Sequence, residues 1–339
     1  MVRLGFLILI VGFGWLVAHL SGASGLENSG VYLMLSSLLL AVGLYGSTHG
    51  IDRSEARRHK KLILLAVTVG VLLKTVFIAG VVYLVSGDGR AVILAVAMAQ
   101  IDPLSVASAM GDNRLSERAK TILGAWSSFD DPVTVLLGIY AVSFLRPTER
   151  GFTADYVVDL GLNALFVVVT YGVWRLVSKA PPLVSYLAAG LAVVSAAWSS
   201  LMLGLATAGL YLRMPDSRWL TRAVAGAFVL SAFLMGLLLI GGANVALGML
   251  LGLAAFAAQM LAALMLTHGL PTADRIHLGL AQQNGITAVI LALTFERDFP
   301  GFVAVIAPAI LTVNLLHVLA NRTYDAWGPT SADQAGLSS

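Results

Sequence analysis

Two adjacent carboxylates, Asp130 and Asp131, stand inside an apolar run that starts near Thr121 and continues through Val133 to Leu145. One charged Asp at a bilayer centre costs about 2.5 to 3.5 kcal/mol on insertion scales, so an acid pair at that depth marks a functional site. Successive helical residues are about 100° apart, so the two acids face different ways, and Ser127 lies one turn before Asp131 on its side. Asp131, the Ser127 hydroxyl and backbone carbonyls near Ile101 then make an all-oxygen pocket, the donor set that hard cations prefer. Burial and a neighbouring carboxylate favour the protonated form of a carboxyl. One such group holds a cation or a proton, and not both.

Two further apolar runs carry polar interruptions. In Gln100-Ile101-Asp102-Pro103 the proline removes a backbone donor and clashes with the carbonyl four residues back, which breaks or kinks a helix. Gln282-Gln283-Asn284-Gly285 is a polar knot with a helix-weakening glycine. Unsatisfied backbone at membrane depth is tolerated only inside protein or against a watery cavity. Lys74 lies near the middle of its own run, where an ammonium must pair with a carboxylate or reach water. One reading has it supply the positive charge that Asp130 lacks; the other is a lysine snorkelling to the interface. Gln259, Asn314 and His317 have two readings, interhelical hydrogen bonding or direct ion contact.

The elements that must position these groups are membrane spans. The 339 residues are 58% hydrophobic and 12% charged, and the mean hydropathy is +0.87. A soluble domain carries about 25% charged residues. We read an all-α polytopic membrane protein with about twelve transmembrane helices. The first five spans are Val2 to Leu20, Gly30 to His49, Leu62 to Val85, Ala91 to Met110 and Thr121 to Leu145. The next three are Tyr156 to Val177, Leu183 to Ala196 and Ser199 to Leu212. The last four are Leu220 to Ile240, Asn244 to Thr267, Ile276 to Phe295 and Phe302 to Ala320. The first run has a weak secretory-signal look but no clear cleavage site, and is read as a retained helix. The membrane domain is residues 1–322, and 323–339 are a short polar tail.

Charge arbitrates the count. If Leu183 to Leu212 holds two helices, sixteen of the 21 basic residues fall in loops on the amino-terminal side and four on the other, with Lys74 inside a span. The positive-inside rule then puts both termini in the cytoplasm; one long helix would spoil that asymmetry. The two interrupted spans lie seven apart and so run in opposite directions. Inverted repeats whose broken helices cross near mid-membrane require this. The chain has no cysteine, so disulfides, thiolate metal sites and cysteine nucleophiles are excluded. The net charge of +3 reflects basic loops and calls for no nucleic-acid partner.

Taken together, Asp102-Pro103, Phe129-Asp130-Asp131 and Gly285 with the aliphatic run after it resemble the monovalent cation/proton antiporter superfamily, of the sodium/proton exchanger type. Asp102-Pro103 is similar to that family's Thr-Asp-Pro, with Ile101 in place of the threonine. Phe129-Asp130-Asp131 looks like its Asn-Asp or Asp-Asp element, whose second acid binds the cation or proton. Asn284 stands where an arginine often precedes the glycine. The resemblance implies exchange of Na+, or of K+ or Li+, for protons across the cell membrane by alternating access. It implies no enzyme activity, no cofactor and a homodimer. Asp131 is the expected carrier, Asp102 a partner of the broken-helix ends and Asp130 a modulator of coupling. Ser127, Lys74, Ile101, Pro103, Gln259, Gln283, Asn284 and Gly285 support them. The chain departs from the family at Trp126, where a glutamate is common in one branch. It departs again at Gln259, where a lysine or arginine pairs with the acids, and at Val42. Two other readings share the architecture: a sodium-coupled organic-solute symporter and a transport-dead ion or pH sensor. An intramembrane aspartyl protease would need two facing acids and a Gly-x-Gly-Asp element, but Ala109-Met110-Gly111-Asp112 and an adjacent acid pair are what the sequence has.

Overall fold

The computed structural model describes residues 2–22, 25–49, 64–102, 106, 115–145, 152–214 and 217–327. Its elements are helical throughout. α1 (Val2–Ser21) and α2 (Gly30–His49) are followed by a π-helical turn, Ala66–Gly70, that leads into α3 (Val71–Ser86). α4 (Ala91–Met98) stops short of the polar interruption, and α5 (Glu117–Leu145) carries the acid pair, with Pro132 inside it. Then come α6 (Phe152–Val177), α7 (Pro182–Ser199), α8 (Met202–Gly209), α9 (Ser217–Leu238) and α10 (Val245–Leu266). The expected eleventh span is two helices, α11 (Thr272–Gly279) and α12 (Ile286–Glu296), and the chain closes with α13 (Phe302–Trp327).

Seven of these helices are long and apolar enough to cross a bilayer. Their outward residues are apolar where a soluble protein would be charged: Leu84 is 84% exposed and Leu176 82%. The fold is a multi-pass membrane architecture.

The stretch read from charge alone as two helices does break. α7 ends at Ser199, and Ser200 takes a left-handed conformation (φ 57°), with the chain resuming as α8. α13 runs past Thr323 to Trp327, so the segment expected to be a polar tail from 323 begins as helix. Residues 328–339, the whole basic stretch from Asp52 to Lys61, and Pro103 lie outside the described residues.

The helices pack as two groups. α3, α4, α5, α10, α11, α12 and α13 surround the two interruptions, and the closest pairing is α10 on α13. There the glycines permit direct backbone approach, since a Cβ on Gly252 would lie 2.7 Å from the Thr312 Cβ. α1 packs on α9, and α2 on α7 and α8, forming a wall whose α2 and α9 face α12. α2 also lies against α5. The acid pair therefore sits where the wall meets the group that carries the interruptions.

Candidate functional site

Peptide groups that leave a helix inside a membrane need other partners, and those of α4 and α11 find them in each other. The Asp102 amide donates to the Gln283 carbonyl at 2.9 Å, a direct backbone bond between the two interruptions. The Gln282 side-chain amide donates to the Met98 and Gln100 carbonyls (3.2 and 2.7 Å), and that of Asn284 to the same two (3.3 and 3.4 Å). α13 secures the second interruption from behind. Asn314 donates to the Asn284 carbonyl at 2.9 Å and accepts from its amide at 3.3 Å. His317 reaches the Leu280 carbonyl through Nδ1 (2.6 Å) and the Gln283 amide through Nε2 (2.7 Å). A carbonyl can only accept, so Nδ1 donates to Leu280.

Against this crossing lie the acids of α5. The Asp130 Oδ2 accepts from the Lys74 ammonium at 2.7 Å and from the Ile101 backbone amide at 3.1 Å. Both side chains of the ion pair are fully buried. The Lys74 Nζ also stands 5.5 Å from the centre of the Trp126 ring. Thr134 ties the pair's own backbone to the first interruption: its hydroxyl lies 2.9 Å from the Asp130 and Asp131 carbonyls and 2.9 Å from the Gln100 side-chain oxygen.

Asp131 has a different environment. Its Oδ2 accepts from the Thr287 hydroxyl at 2.8 Å and the Ser47 hydroxyl at 3.2 Å, with no cation in contact among the described residues. Its Oδ1 is buried and has no hydrogen-bond partner among those residues. Asp102 is its nearest carboxylate neighbour in electrostatic terms. The Asp102 carboxyl is packed onto Gly285, where an added Cβ would lie 2.6 Å from its Cγ. Gly285 immediately precedes α12 and Thr287 is that helix's second residue, so the positive end of α12 points at both acids.

The structure brings together Lys74, Ile101, Asp102, Asp130, Asp131, Gln283, Asn284 and Gly285. Ser127 was expected beside Asp131. Helical spacing puts it one turn from Asp131, but its hydroxyl donates back to the Gly124 carbonyl at 3.2 Å, and the hydroxyls on Asp131 come from α2 and α12. The Ile101 backbone offers Asp130 its amide. Gln259 does not touch the acids through any hydrogen bond. Its amide donates to the Leu278 carbonyl near the end of α11, at 3.2 Å. Ser47, Thr287, Thr134 and Gln100 were not singled out by the sequence. For Thr287 the signal was its place two residues after Gly285, while Ser47 is a lone hydroxyl in an apolar helix.

The sequence matches no protein-family model and no curated protein. The fold does match a solved structure, that of the sodium proton antiporter MjNhaP1 from Methanocaldococcus jannaschii at pH 8. The TM-score is 0.67 at 16% sequence identity, over 94% of this chain and 98% of that one.

Proposed function

We propose that this chain is a secondary active transporter that exchanges a monovalent cation for protons by alternating access, with Asp131 as the carrier. One observation carries the reading: of two adjacent buried acids, Asp130 is neutralised by Lys74, whereas Asp131 meets only hydroxyl groups and keeps one oxygen without a partner among the described residues. An ionised carboxylate in that position demands a counter-charge, which a proton or an alkali cation supplies in turn. The surrounding donors are all oxygen: the carboxyls of Asp131 and Asp102 and the hydroxyl of Thr287. That chemistry suits Na+, with K+ or Li+ as other cargo.

Asp102 lies over the amino end of α12 and adds negative charge beside the carrier. The Lys74–Asp130 pair contributes no net charge and fixes α3 to α5 and to the first interruption. The fold shared with a sodium proton antiporter supports the same reading. The same reading carries two further expectations: both termini in the cytoplasm of a cell-membrane protein, from the positive-inside asymmetry, and a homodimer, from the family resemblance. No cofactor enters the scheme.

The test is dye-monitored proton flux in proteoliposomes with an imposed pH gradient, adding Na+, K+ or Li+ in turn, for the wild type and Asp131→Asn. A cation that collapses the gradient in the wild type and not in the variant is the expected result, and it names the cargo. A folded wild type that responds to none of the three overturns the proposal.

A further inference from the structure

The Asp131 carboxylate is shared between two groups of helices. Thr287 belongs, with Asp131 itself, to the group around the crossing, whereas Ser47 is on α2, in the wall. When the first group shifts against the wall, the Thr287 bond travels with the carboxylate and the Ser47 bond must break. Hydrogen bonds to an ionised carboxylate are about twice as strong as those to a neutral acceptor. The break is therefore costly for an empty, charged Asp131, and cheaper once a proton or cation has taken up the charge. Release also has a destination, because the Ser47 hydroxyl already lies 3.1 Å from the Gly43 carbonyl of its own helix. The other charged groups facing Asp131 are Asp102 and Asp130, with Lys74 beyond Asp130. Among the described residues that hydrogen-bond to Asp131, only Ser47 comes from the wall.

From this geometry, and resting on the exchange reading above, we infer that Ser47 is a state-specific latch on the empty carrier. It holds ionised Asp131 against α2 and lets go when the carboxylate is loaded. An exchanger conserves its gradient only if the unloaded site does not cross, and this contact supplies that rule.

The test separates coupling from transport. Purified wild type, Ser47→Ala and Ser47→Thr are reconstituted in choline buffer with thiocyanate as the permeant counter-ion, and proton flux is followed with and without the transported cation. The wild type and Ser47→Thr stay proton-tight until the cation is added. Ser47→Ala passes protons without it, on the order of tenfold faster than the wild type, and the Asp131→Asn/Ser47→Ala double variant does not. Ser47→Cys, whose thiol is a weak donor, repeats the measurement if the alanine variant loses its fold. A Ser47→Ala protein that exchanges cation for proton and remains tight overturns the latch while leaving the exchange reading intact. So does a leak that persists without Asp131. A wild type with no exchange removes both.

Discussion

Lys74 and Asp130 form a fully buried ion pair, Nζ to Oδ2 at 2.7 Å, between α3 and α5. The pair removes one of two adjacent acids from the chemistry of the site and leaves the other to do it. A buried pair of this kind gains little over an apolar pair, but breaking it by removing one partner costs about 3–5 kcal/mol. Lys74→Met is expected to lower the melting temperature in detergent sharply, and Lys74→Met/Asp130→Asn to recover most of the loss. Equal melting of the single and double variants would show that the two groups are not coupled.

At Gly285 there is no room for a side chain. Gly285→Ala drives a methyl group into the Asp102 carboxyl, 2.6 Å from its Cγ. Overpacking of this kind costs about 1–3 kcal/mol. Thermal melts should show Asp102→Ala/Gly285→Ala to be more stable than Gly285→Ala alone, with transport absent from both.

Thr287 provides the shorter of the two hydroxyl bonds to Asp131. Thr287→Val keeps the shape and removes the donor, at a net cost of about 1.5–3 kcal/mol for a bond to a charged group. The apparent cation KM should rise by roughly tenfold or more, with Thr287→Ser close to the wild type. A valine variant with unchanged KM would place the cargo elsewhere.

On the amino-terminal side, Asp274 of α11 accepts from the backbone amide of Ser116 (3.0 Å) and from its hydroxyl (2.5 Å). Ser116 in turn accepts from the Ala119 amide at 3.2 Å, so it caps α5 while being held by α11. Asp274→Ala should speed hydrogen exchange in the first turn of α5 and leave the carboxyl end of that helix unaffected.

In the loop between α3 and α4, hydrogen bonds from the Arg90 guanidinium hold the Asp88 carboxyl below its usual value. A depressed carboxyl pKa adds stability above the unfolded value, about 3.9 for Asp, and loses it as pH falls through the folded value. Arg90 also reaches the Pro300 carbonyl at 3.0 Å, which ties that loop to the start of α13. Asp88→Asn should therefore lower the melting temperature in the neutral range, where the ionised carboxyl contributes, and flatten the acid limb below about pH 4, where the two curves converge.

How legible each of these features was in the sequence follows from what a residue costs. Asp130, Asp131 and Lys74 are expensive in an apolar run, so their positions announced a site, and the ammonium's need for a carboxylate pointed to their pairing. The two interruptions were visible for the same reason, as proline, amides and glycine where a helix wants none. Hydroxyls carry no such signal. Ser47 and Ser127 can each return their hydrogen to a carbonyl on their own helix, so neither is penalised in an apolar span. Side-chain rotation then decides that Ser127 turns to Gly124 while Ser47 reaches Asp131. Helical periodicity gives the side of a helix and not the rotamer. The break after Ser199 was inferred from charge balance, since no local proline or charge marks it; the left-handed Ser200 does so only in three dimensions.

The bond between the Asp102 amide and the Gln283 carbonyl joins two stretches of main chain. Every residue type except proline at position 102 presents the same donor, and every residue type at 283 the same acceptor. The fastening that sets the distance between the two halves is therefore indifferent to mutation at both positions. Substitution can change the charges and amides around it without redrawing the main-chain contact on which they sit.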